Sequence, residues 1–306
     1  LMATVRSAAA SEGAQALSEG FLAGAALVTQ GADRVAGSAI YSAVSSVDSA
    51  AASSTSSGTQ SAAAASMDWQ FFTDFGGGQM RLNSGSHVDL NSFTLLAGMA
   101  QGNNTQYGRL VNAAFFEYGH GSYDTFNSFA TSPDVVGSGS SDYYGGGVLL
   151  RMDFNPTGPG HFYADASVRA GRLDNDYGSP DLGSGVAASY DSNATYYGIH
   201  LGAGYQWQVH EKWNLDFYAK FLWTHQDGDA VSFKGIDSLR SLFGLRAVYM
   251  LNQRASVYAG AAFEYEYCMD ADGFTSGFAI TAPSLRGGKG IGEIGLRLQP
   301  SSKAPS

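Results

Sequence analysis

The chain has 306 residues, of which 14% are charged and 13% aromatic, and its formal net charge is -10. Because phosphate contacts require concentrated Lys and Arg, this acidic balance argues against a nucleic-acid partner. No apolar run approaches the roughly 18 residues of a membrane-spanning helix. The composition therefore excludes a helical membrane protein, but it permits a barrel, in which apolar and polar residues alternate.

The first predicted element is a helix over residues 14–47, which follows a small, polar stretch at 1–13. Apolar residues recur at the helical period, and they are Leu17, Phe21, Ala25, Val28, Ala32 and Val35. Most other positions are Gly, Ala or Ser, and each interior Gly costs about 1 kcal/mol relative to Ala. A helix this slim suits a narrow space, so we expect a barrel to surround it. A Ser/Ala-rich linker is predicted at 48–66.

From residue 67 onward the sequence alternates with the period of β-strands. Most predicted strands are long enough to cross a bilayer at a tilt. The ten strands cover residues 68–77, 88–101, 107–121, 141–154, 161–176, 187–208, 212–226, 238–251, 255–269 and 288–299. Short and long connections alternate, as in outer-membrane barrels, and the first long connection is predicted at 78–87.

Each strand has one apolar and one polar face. Trp213 and Trp223 bracket one apolar face and Phe217 lies between them, which is the pattern of the two aromatic girdles of a membrane barrel. These three residues and Phe263 are predicted to face lipid. The polar faces carry charges of both signs, which suits a wet lumen, and the predicted lumen-lining residues are Glu117, Arg169, Lys220, Arg240, Arg246 and Glu264.

Four helix residues are predicted to contact the pore wall. Phe21 and Val28 would pack against it. Asp33 and Arg34 would pair with its charged groups, for which the candidates are Arg169, Arg240, Arg246 and Glu264.

Several motifs occur in a recognisable order: FLAGAALVTQGADRVAG, HVDLNSFTLLAGMA, SDYYGGGVLLRMDF, LDFYAKFLWTHQDGD and APSLRGGKGIGEIGLRLQP. Over about residues 15–300 the chain resembles the C-terminal translocator domain of bacterial autotransporters, the type V secretion family. The resemblance implies an all-β membrane protein, an antiparallel transmembrane β-barrel with an N-terminal helix that threads the lumen. The family barrel has twelve strands, so we expect residues 67–306 to lack the last two and residues 1–13 to end a passenger or linker.

The resemblance also implies a function. The domain would insert in the outer membrane of a Gram-negative bacterium, export an N-terminal passenger and anchor it at the cell surface. Implied partners are outer-membrane lipid and lipopolysaccharide, the chain's own passenger, periplasmic chaperones and the barrel-insertion machinery. Two alternatives stay open: a porin-like outer-membrane barrel with a helical plug, and a soluble carbohydrate-binding β-protein.

No sequence pattern predicts catalysis, a cofactor or a metal site. The histidines form no HExxH pair, no GxSxG elbow is present, and Cys268 is the only cysteine. Some family members cleave themselves by cyclising an asparagine of the helix, but residues 1–66 contain no Asn. We therefore expect no enzyme and a helix that acts as a tether and plug.

Overall fold

The structure is a computed structural model that describes residues 2–56, 68–83, 87–129, 133–182, 185, 187–228, 234–252, 255–275, 278–280 and 283–298, with helix side chains described over 16–51. In this part of the chain, a long helix lies along the concave face of an antiparallel sheet of ten strands. No described helix is both long and apolar enough to cross a membrane.

The helix consists of α1 (Met2–Arg34), a π-helical turn (Val35–Ala39) and α2 (Ile40–Ser56), which follow one another without a break. It is longer at both ends than the predicted helix at 14–47. The prediction placed a linker from residue 48, and it was wrong for 48–56. The remainder of that linker, 57–66, lies outside the described residues.

The reason for the longer helix lies in its Ser and Ala residues. A Ser hydroxyl can bond back to a carbonyl of the preceding turn and so satisfy itself within a helix. Ser46 donates to the carbonyl of Ala43, and Ser49 donates to that of Ser45, each at 2.8 Å. Ala has the highest intrinsic helix propensity, so a Ser/Ala composition is as compatible with helix as with linker.

The strands are β1 (Gln70–Asn83), β2 (His87–Thr105), β3 (Gly108–Asn127), β4 (Val135–Phe154), β5 (Gly160–Ser179), β6 (Ala188–His210), β7 (Trp213–Gln226), β8 (Ile236–Asn252), β9 (Ala255–Cys268), β10 (Gly273–Thr275), β11 (Phe278–Ile280) and β12 (Gly287–Leu298). Strands β1 to β9 pair in chain order and β12 pairs with β9, while β10 and β11 form a separate hairpin. Among the described residues, the outer edges of β1 and β12 have no partner strand. The sheet is therefore an open half-barrel, and the predicted antiparallel architecture is confirmed.

The first connection differs from its prediction. The first strand was predicted to end at 77 and a long connection to follow at 78–87, whereas β1 continues to Asn83. Its last residues pair with the start of β2, from Gln79 opposite Asn91 to Asn83 opposite His87. Three Gly residues at 76–78 concealed the strand, because Gly has a low β-propensity and no side chain to reveal a face.

The strand connections define two ends of the half-barrel. The starts of β3, β5, β7 and β9 lie at one end, and at most five residues separate each of them from the preceding strand, so we call it the short-turn end. The starts of β4, β6, β8 and β12 lie at the other end, which we call the long-connection end.

The helix runs from the long-connection end to the short-turn end. Tyr190, at the start of β6, donates a hydrogen bond to the carbonyl of Leu17. Arg109, beside the β2–β3 turn, pairs with Asp48. At about 1.5 Å per residue, the helix between these contacts spans about 46 Å.

Side chains alternate between the two faces of the sheet, as the pleat requires. On β7, Asp216, Lys220 and Leu222 are buried on the concave face, whereas Phe217 and Phe221 are exposed on the convex face. The apolar convex face and the helix-covered concave face are thus built from alternate residues of the same strands.

Three apolar clusters among the described residues join the helix to the sheet, and the smallest consists of Ala32, Ala36 and Leu222. Near the long-connection end, Phe21 and Leu27 are buried together with Tyr123, Tyr143 and Tyr177. Met269 and Ala271, which follow β9, also belong to this cluster.

The second cluster lies toward the short-turn end. Val35 and Ile40 of the helix are buried there with Phe72, Val111 and Leu149 of the sheet. The helix thus has apolar contacts at both levels with the concave face of the sheet, which we call the wall.

Candidate functional site

The concave face and its helix form the candidate site. Glycines allow the helix to lie close to the wall at three levels. A Cβ added at Gly20 would lie 2.7 Å from the ring of Tyr177, and one added at Gly24 would lie 3.1 Å from the wall. At Gly31 an added Cβ would overlap the hydroxyl group of Tyr143. The residues that lower the helix propensity of this segment therefore provide clearance for the wall.

Side chains of the wall also donate hydrogen bonds to main-chain carbonyls of the helix. Arg169 on β5 donates to Val28 O at 2.9 Å, and Arg240 on β8 donates to the adjacent Thr29 O at 3.2 Å. The other donors are Tyr190 to Leu17 O, Asn175 to Gly20 O, and Lys220 to Ala36 O. A helical carbonyl has a second lone pair, so these bonds do not require that the helix unwind.

Arg240 links the helix to the neighbouring strand. Its guanidinium lies 2.7 Å from the carboxylate of Asp33, 3.4 Å from that of Glu264 and 3.8 Å from that of Glu266. Arg240 is buried, and a buried charge is costly unless it is paired. The structure thus brings together Arg240, Glu264 and Asp33, three residues that the sequence analysis had selected.

Arg169 belongs to a second buried network. Its Nε lies 2.9 Å from Glu117 Oε1, an atom that also accepts a hydrogen bond from the Tyr196 hydroxyl at 2.9 Å. Its guanidinium lies 4.8 Å from the centre of the Tyr196 ring, within cation–π range. The two charged residues were predicted from the sequence, but Tyr196 was not, because tyrosines occur on both faces of these strands.

Phe21 and Val28, the predicted apolar contacts, have no solvent-exposed surface. Lys220 is also buried and reaches the π-helical turn through Ala36 O. A π-helical turn commonly marks a functional position within a helix.

Arg34 pairs with none of the four charged residues that were predicted as candidates for it. It pairs with Asp74 on β1 at 2.9 Å, and Ser38 donates to the same carboxylate at 2.8 Å. A Cβ at Gly76 would overlap the Arg34 guanidinium, so Gly76 makes room for this side chain. Asp74 shares the polar face of β1 with Gly76, and that alternation is the signal that could have identified it.

The second half of the helix makes polar contacts. Tyr41 donates to Asp216, whose other carboxylate oxygen accepts from Tyr163 at 2.9 Å. The Arg246 guanidinium lies 5.0 Å from the Tyr41 ring and binds Glu293 on β12 at 2.6 and 2.9 Å. Arg246 therefore contacts the helix through the Tyr41 ring, whereas its ion-pair partner, Glu293, belongs to the sheet.

The helix leaves space beside it. A cavity of about 750 Å³ lies between α2 and the wall at the short-turn end, with Arg151, His161 and Lys212 in its lining. A second cavity of about 570 Å³ lies between the helix and the edge strands, with Asp74 and Glu293 in its lining. Charged side chains belong to the lining of both, so water can occupy them.

The four residues predicted to face lipid lie on the convex face. Trp213, Phe217 and Phe263 are 46%, 42% and 53% exposed, and Trp223 is half-buried against Tyr197. Their contact with lipid stays a prediction.

In the part of the chain that the structure describes, no group of three or more His, Cys, Asp or Glu side chains is arranged to bind a metal ion. The contacts between helix and wall are hydrogen bonds, ion pairs and apolar packing, and such contacts hold a polypeptide in place.

Comparison with known families gives a match that covers most of the sheet. The profile of the Autotransporter beta-domain family matches residues 75–304. No curated protein sequence matches the chain.

Solved structures of three translocator units are similar in fold. The transport unit of the autotransporter AIDA-I from Escherichia coli is 13% identical, with a TM-score of 0.51, over 76% of this chain and 89% of that one. The β domain of the Bordetella autotransporter BrkA is 16% identical, with a TM-score of 0.50, over 75% and 97% of the two chains. The translocator domain of NalP from Neisseria meningitidis is 16% identical, with a TM-score of 0.52, over 85% and 88%.

Proposed function

The chain belongs to the autotransporter β-domain family, and we propose that it exports an N-terminal passenger and anchors that passenger at the cell surface. Membership of the family implies that the sheet lies in the outer membrane. The observation that carries the proposal is the course of the helix, from Leu17 at the long-connection end to Asp48 at the short-turn end. A segment joined ahead of the helix would leave the half-barrel at the long-connection end.

The polar contacts between the sheet and the helix support an anchoring role. Hydrogen bonds to main-chain carbonyls are distributed from Leu17 to Ala36, and the Arg240–Asp33 ion pair adds a charged contact. The bonds from Arg169, Arg240 and Lys220 are buried and charge-assisted, and a bond of this kind contributes about 1.5–3 kcal/mol. Together they would retain the helix in the half-barrel after export.

We also propose the partners with which the chain interacts during export and assembly. They are the passenger, outer-membrane lipid and lipopolysaccharide, and the periplasmic chaperones and insertion machinery that a strand-rich membrane protein requires for assembly. Export by this route requires positioning of a polypeptide and no bond-making step, so we propose a transport role without enzymatic activity.

The orientation can be tested with two epitopes in the protein expressed in cells. One epitope is placed immediately ahead of Met2, and the matched control is placed in the β2–β3 turn at residues 106–107. Protease added to intact cells is expected to remove the first epitope and to reach the second only after the outer membrane is permeabilised. The reverse pattern would contradict the proposal.

A porin-like barrel with a helical plug is the second candidate, and the cavities of about 750 and 570 Å³ beside the helix favour it. Conductance in planar bilayers discriminates between the two functions. A translocator is expected to be nearly closed and to open when residues 16–47 are deleted. A porin is expected to conduct with the helix in place.

A further inference from the structure

The ion pair between Glu117 on β3 and Arg169 on β5 has two polar atoms that the helix does not use. Both residues lie near the middle of their strands, and their side chains are 0% and 2% exposed. Arg169 Nε donates to Glu117 Oε1, and Arg169 Nη1 donates to Val28 O of the helix, each at 2.9 Å. Among the described residues, Glu117 Oε2 and Arg169 Nη2 are buried without a hydrogen-bond partner. Such an atom costs about 1–3 kcal/mol, so a pair that retains two of them is a candidate binding site.

The unpartnered nitrogen adjoins the main chain that lies along the wall. A Cβ added at Gly31 of the helix would lie 3.0 Å from Arg169 Nη2. The central carbon of the guanidinium lies 5.7 Å from the centre of the Tyr143 ring and 4.8 Å from that of the Tyr196 ring. A polypeptide that passes along the wall at this level therefore passes the Arg169 guanidinium.

The sheet holds this pair in place, and the helix is not required for its geometry. Glu117 Oε1 accepts from Arg169 Nε and from the Tyr196 hydroxyl, both at 2.9 Å. The three residues belong to β3, β5 and β6. A different segment in place of the helix would replace one acceptor, Val28 O, and would leave the other bonds of the pair intact. The free donor and acceptor atoms would thus keep their positions.

A helix can satisfy the arginine of this pair but not the glutamate. Inside a helix each N–H is bonded to a carbonyl of the preceding turn, whereas the carbonyl oxygen keeps a lone pair for a second donor. Arg169 accordingly bonds to a helix carbonyl, and Glu117 Oε2 accepts no N–H. A non-helical polypeptide presents both groups of a peptide unit, a C=O for the guanidinium and an N–H for the carboxylate.

We propose that the Glu117–Arg169 pair binds main-chain peptide groups of the non-helical passenger during export. The guanidinium donates to a passenger carbonyl, and Glu117 Oε2 accepts from a passenger N–H. These bonds replace the bonds to water that peptide groups lose in the enclosed space, and they do not depend on passenger side chains. The inference rests on the proposed function for one point, that a passenger is exported along the wall. It adds the residues that contact the passenger and the part of the passenger that they recognise.

The test compares two passengers that differ in their main-chain N–H groups. One is a segment of Gly, Ser and Thr joined ahead of Met2, and the other is a polyproline segment of the same length. Proline has no N–H, so the second passenger offers carbonyls alone. Pulse-labelling followed by protease treatment of intact cells measures the rate at which each passenger reaches the surface. The rates are compared in the wild type and in Glu117→Gln.

Glu117→Gln removes the free acceptor and keeps the other bonds of the pair. The Gln carbonyl oxygen must face the two donors, Arg169 Nε and the Tyr196 hydroxyl, so the NH₂ group replaces Oε2 and cannot accept. Export of the Gly/Ser/Thr passenger is expected to be about tenfold slower than in the wild type, the effect of one charge-assisted hydrogen bond. Export of polyproline is expected to change by less than about twofold, because it has no N–H to lose a partner.

Equal slowing of the two passengers would overturn the proposal, because loss of the buried charge would account for it. Wild-type rates for both passengers in Glu117→Gln would also overturn it. The matched control is Asp89→Asn, the same carboxylate-to-amide change in the exposed Arg81–Asp89 pair, and it is expected to export both passengers at the wild-type rate. Failure of the wild type to export either passenger would instead contradict the proposed function, and with it the inference.

A crosslinking measurement keeps the proposal testable if Glu117→Gln does not assemble. A photoreactive phenylalanine analogue replaces Tyr143, whose ring adjoins the Arg169 guanidinium. The matched control carries the analogue at Phe116, which precedes Glu117 in the chain and is exposed on the convex face. With a passenger stalled in transit by a disulfide-closed loop, the analogue at position 143 is expected to crosslink to the passenger and the one at 116 is not. No crosslink at 143, or equal yields at both positions, would overturn the proposal.

Discussion

Between Leu17 and Val28 the helix packs against tyrosines of β3, β4 and β5 and accepts hydrogen bonds from side chains of β5 and β6. Between Tyr41 and Asp48 it lies beside a cavity of about 750 Å³. The first region is dry, and its charged groups are paired and buried. The second is held by exposed or partly exposed polar contacts. A contact gains strength when water is excluded, so the half of the helix nearer the long-connection end should contribute most of its retention.

The largest expected effect is in the dry region. Glu117→Leu leaves the Arg169 charge buried without its carboxylate partner, and the expected loss in the free energy of unfolding is about 3–5 kcal/mol. In the hydrated region, Asp48→Asn removes a partner of Arg109 from an exposed pair, and the expected loss is about 0–1 kcal/mol. Urea unfolding of the two variants measures both values. Similar losses would show that the two regions do not differ.

Alternate residues of each strand face opposite sides of the sheet, and a charged substitution tests this assignment. Phe217→Lys places a charge on the convex face and is expected to lower the free energy of unfolding in a bilayer by about 2–4 kcal/mol. His210→Lys, at the exposed end of β6, is the control and should change it by no more than about 0.5 kcal/mol. If Phe217→Lys were as mild as the control, the assignment of Phe217 to lipid would be wrong.

Glycine substitutions test the close approach of helix and wall. Gly31→Leu forces a side chain against Tyr143 and is expected to destabilise the protein by about 1–3 kcal/mol. A Cβ added at Gly37 would meet no atom of the wall within 4 Å, so Gly37→Ala should stabilise the helix by up to about 1 kcal/mol. Thermal unfolding, followed by the loss of the folded band in gels, distinguishes the two. Equal destabilisation would contradict the proposed clearance.

A further small effect is expected in the hydrated region. Tyr41→Phe removes one hydrogen bond to Asp216, which keeps its bond from Tyr163, and the expected loss is about 0.5–1.5 kcal/mol. Amide hydrogen exchange is expected to increase in α2 and to stay unchanged between Leu17 and Val28. An equal increase in both regions would show that they open together.

Much of this arrangement could be predicted from particular residues. The alternation on β7 separates Lys220 from Phe217, and the small residues of the helix indicate a confined position. That Asp74 and Asp216 are the partners of Arg34 and Tyr41 could not be predicted in this way. Each is one acidic residue among several on a polar face, and its partner lies more than 30 residues away in the sequence.

The sequence by itself determined the strand faces, the slim helix and the family, because these depend on periodic patterns and ordered motifs that are local in the chain. Only the tertiary structure decided which level of the wall meets which turn of the helix. That register depends on side-chain volumes at Gly20 and Gly31 and on the reach of Arg169 and Arg240 across the enclosed space. Such distances are set when the sheet curls around the helix, and no local pattern records them.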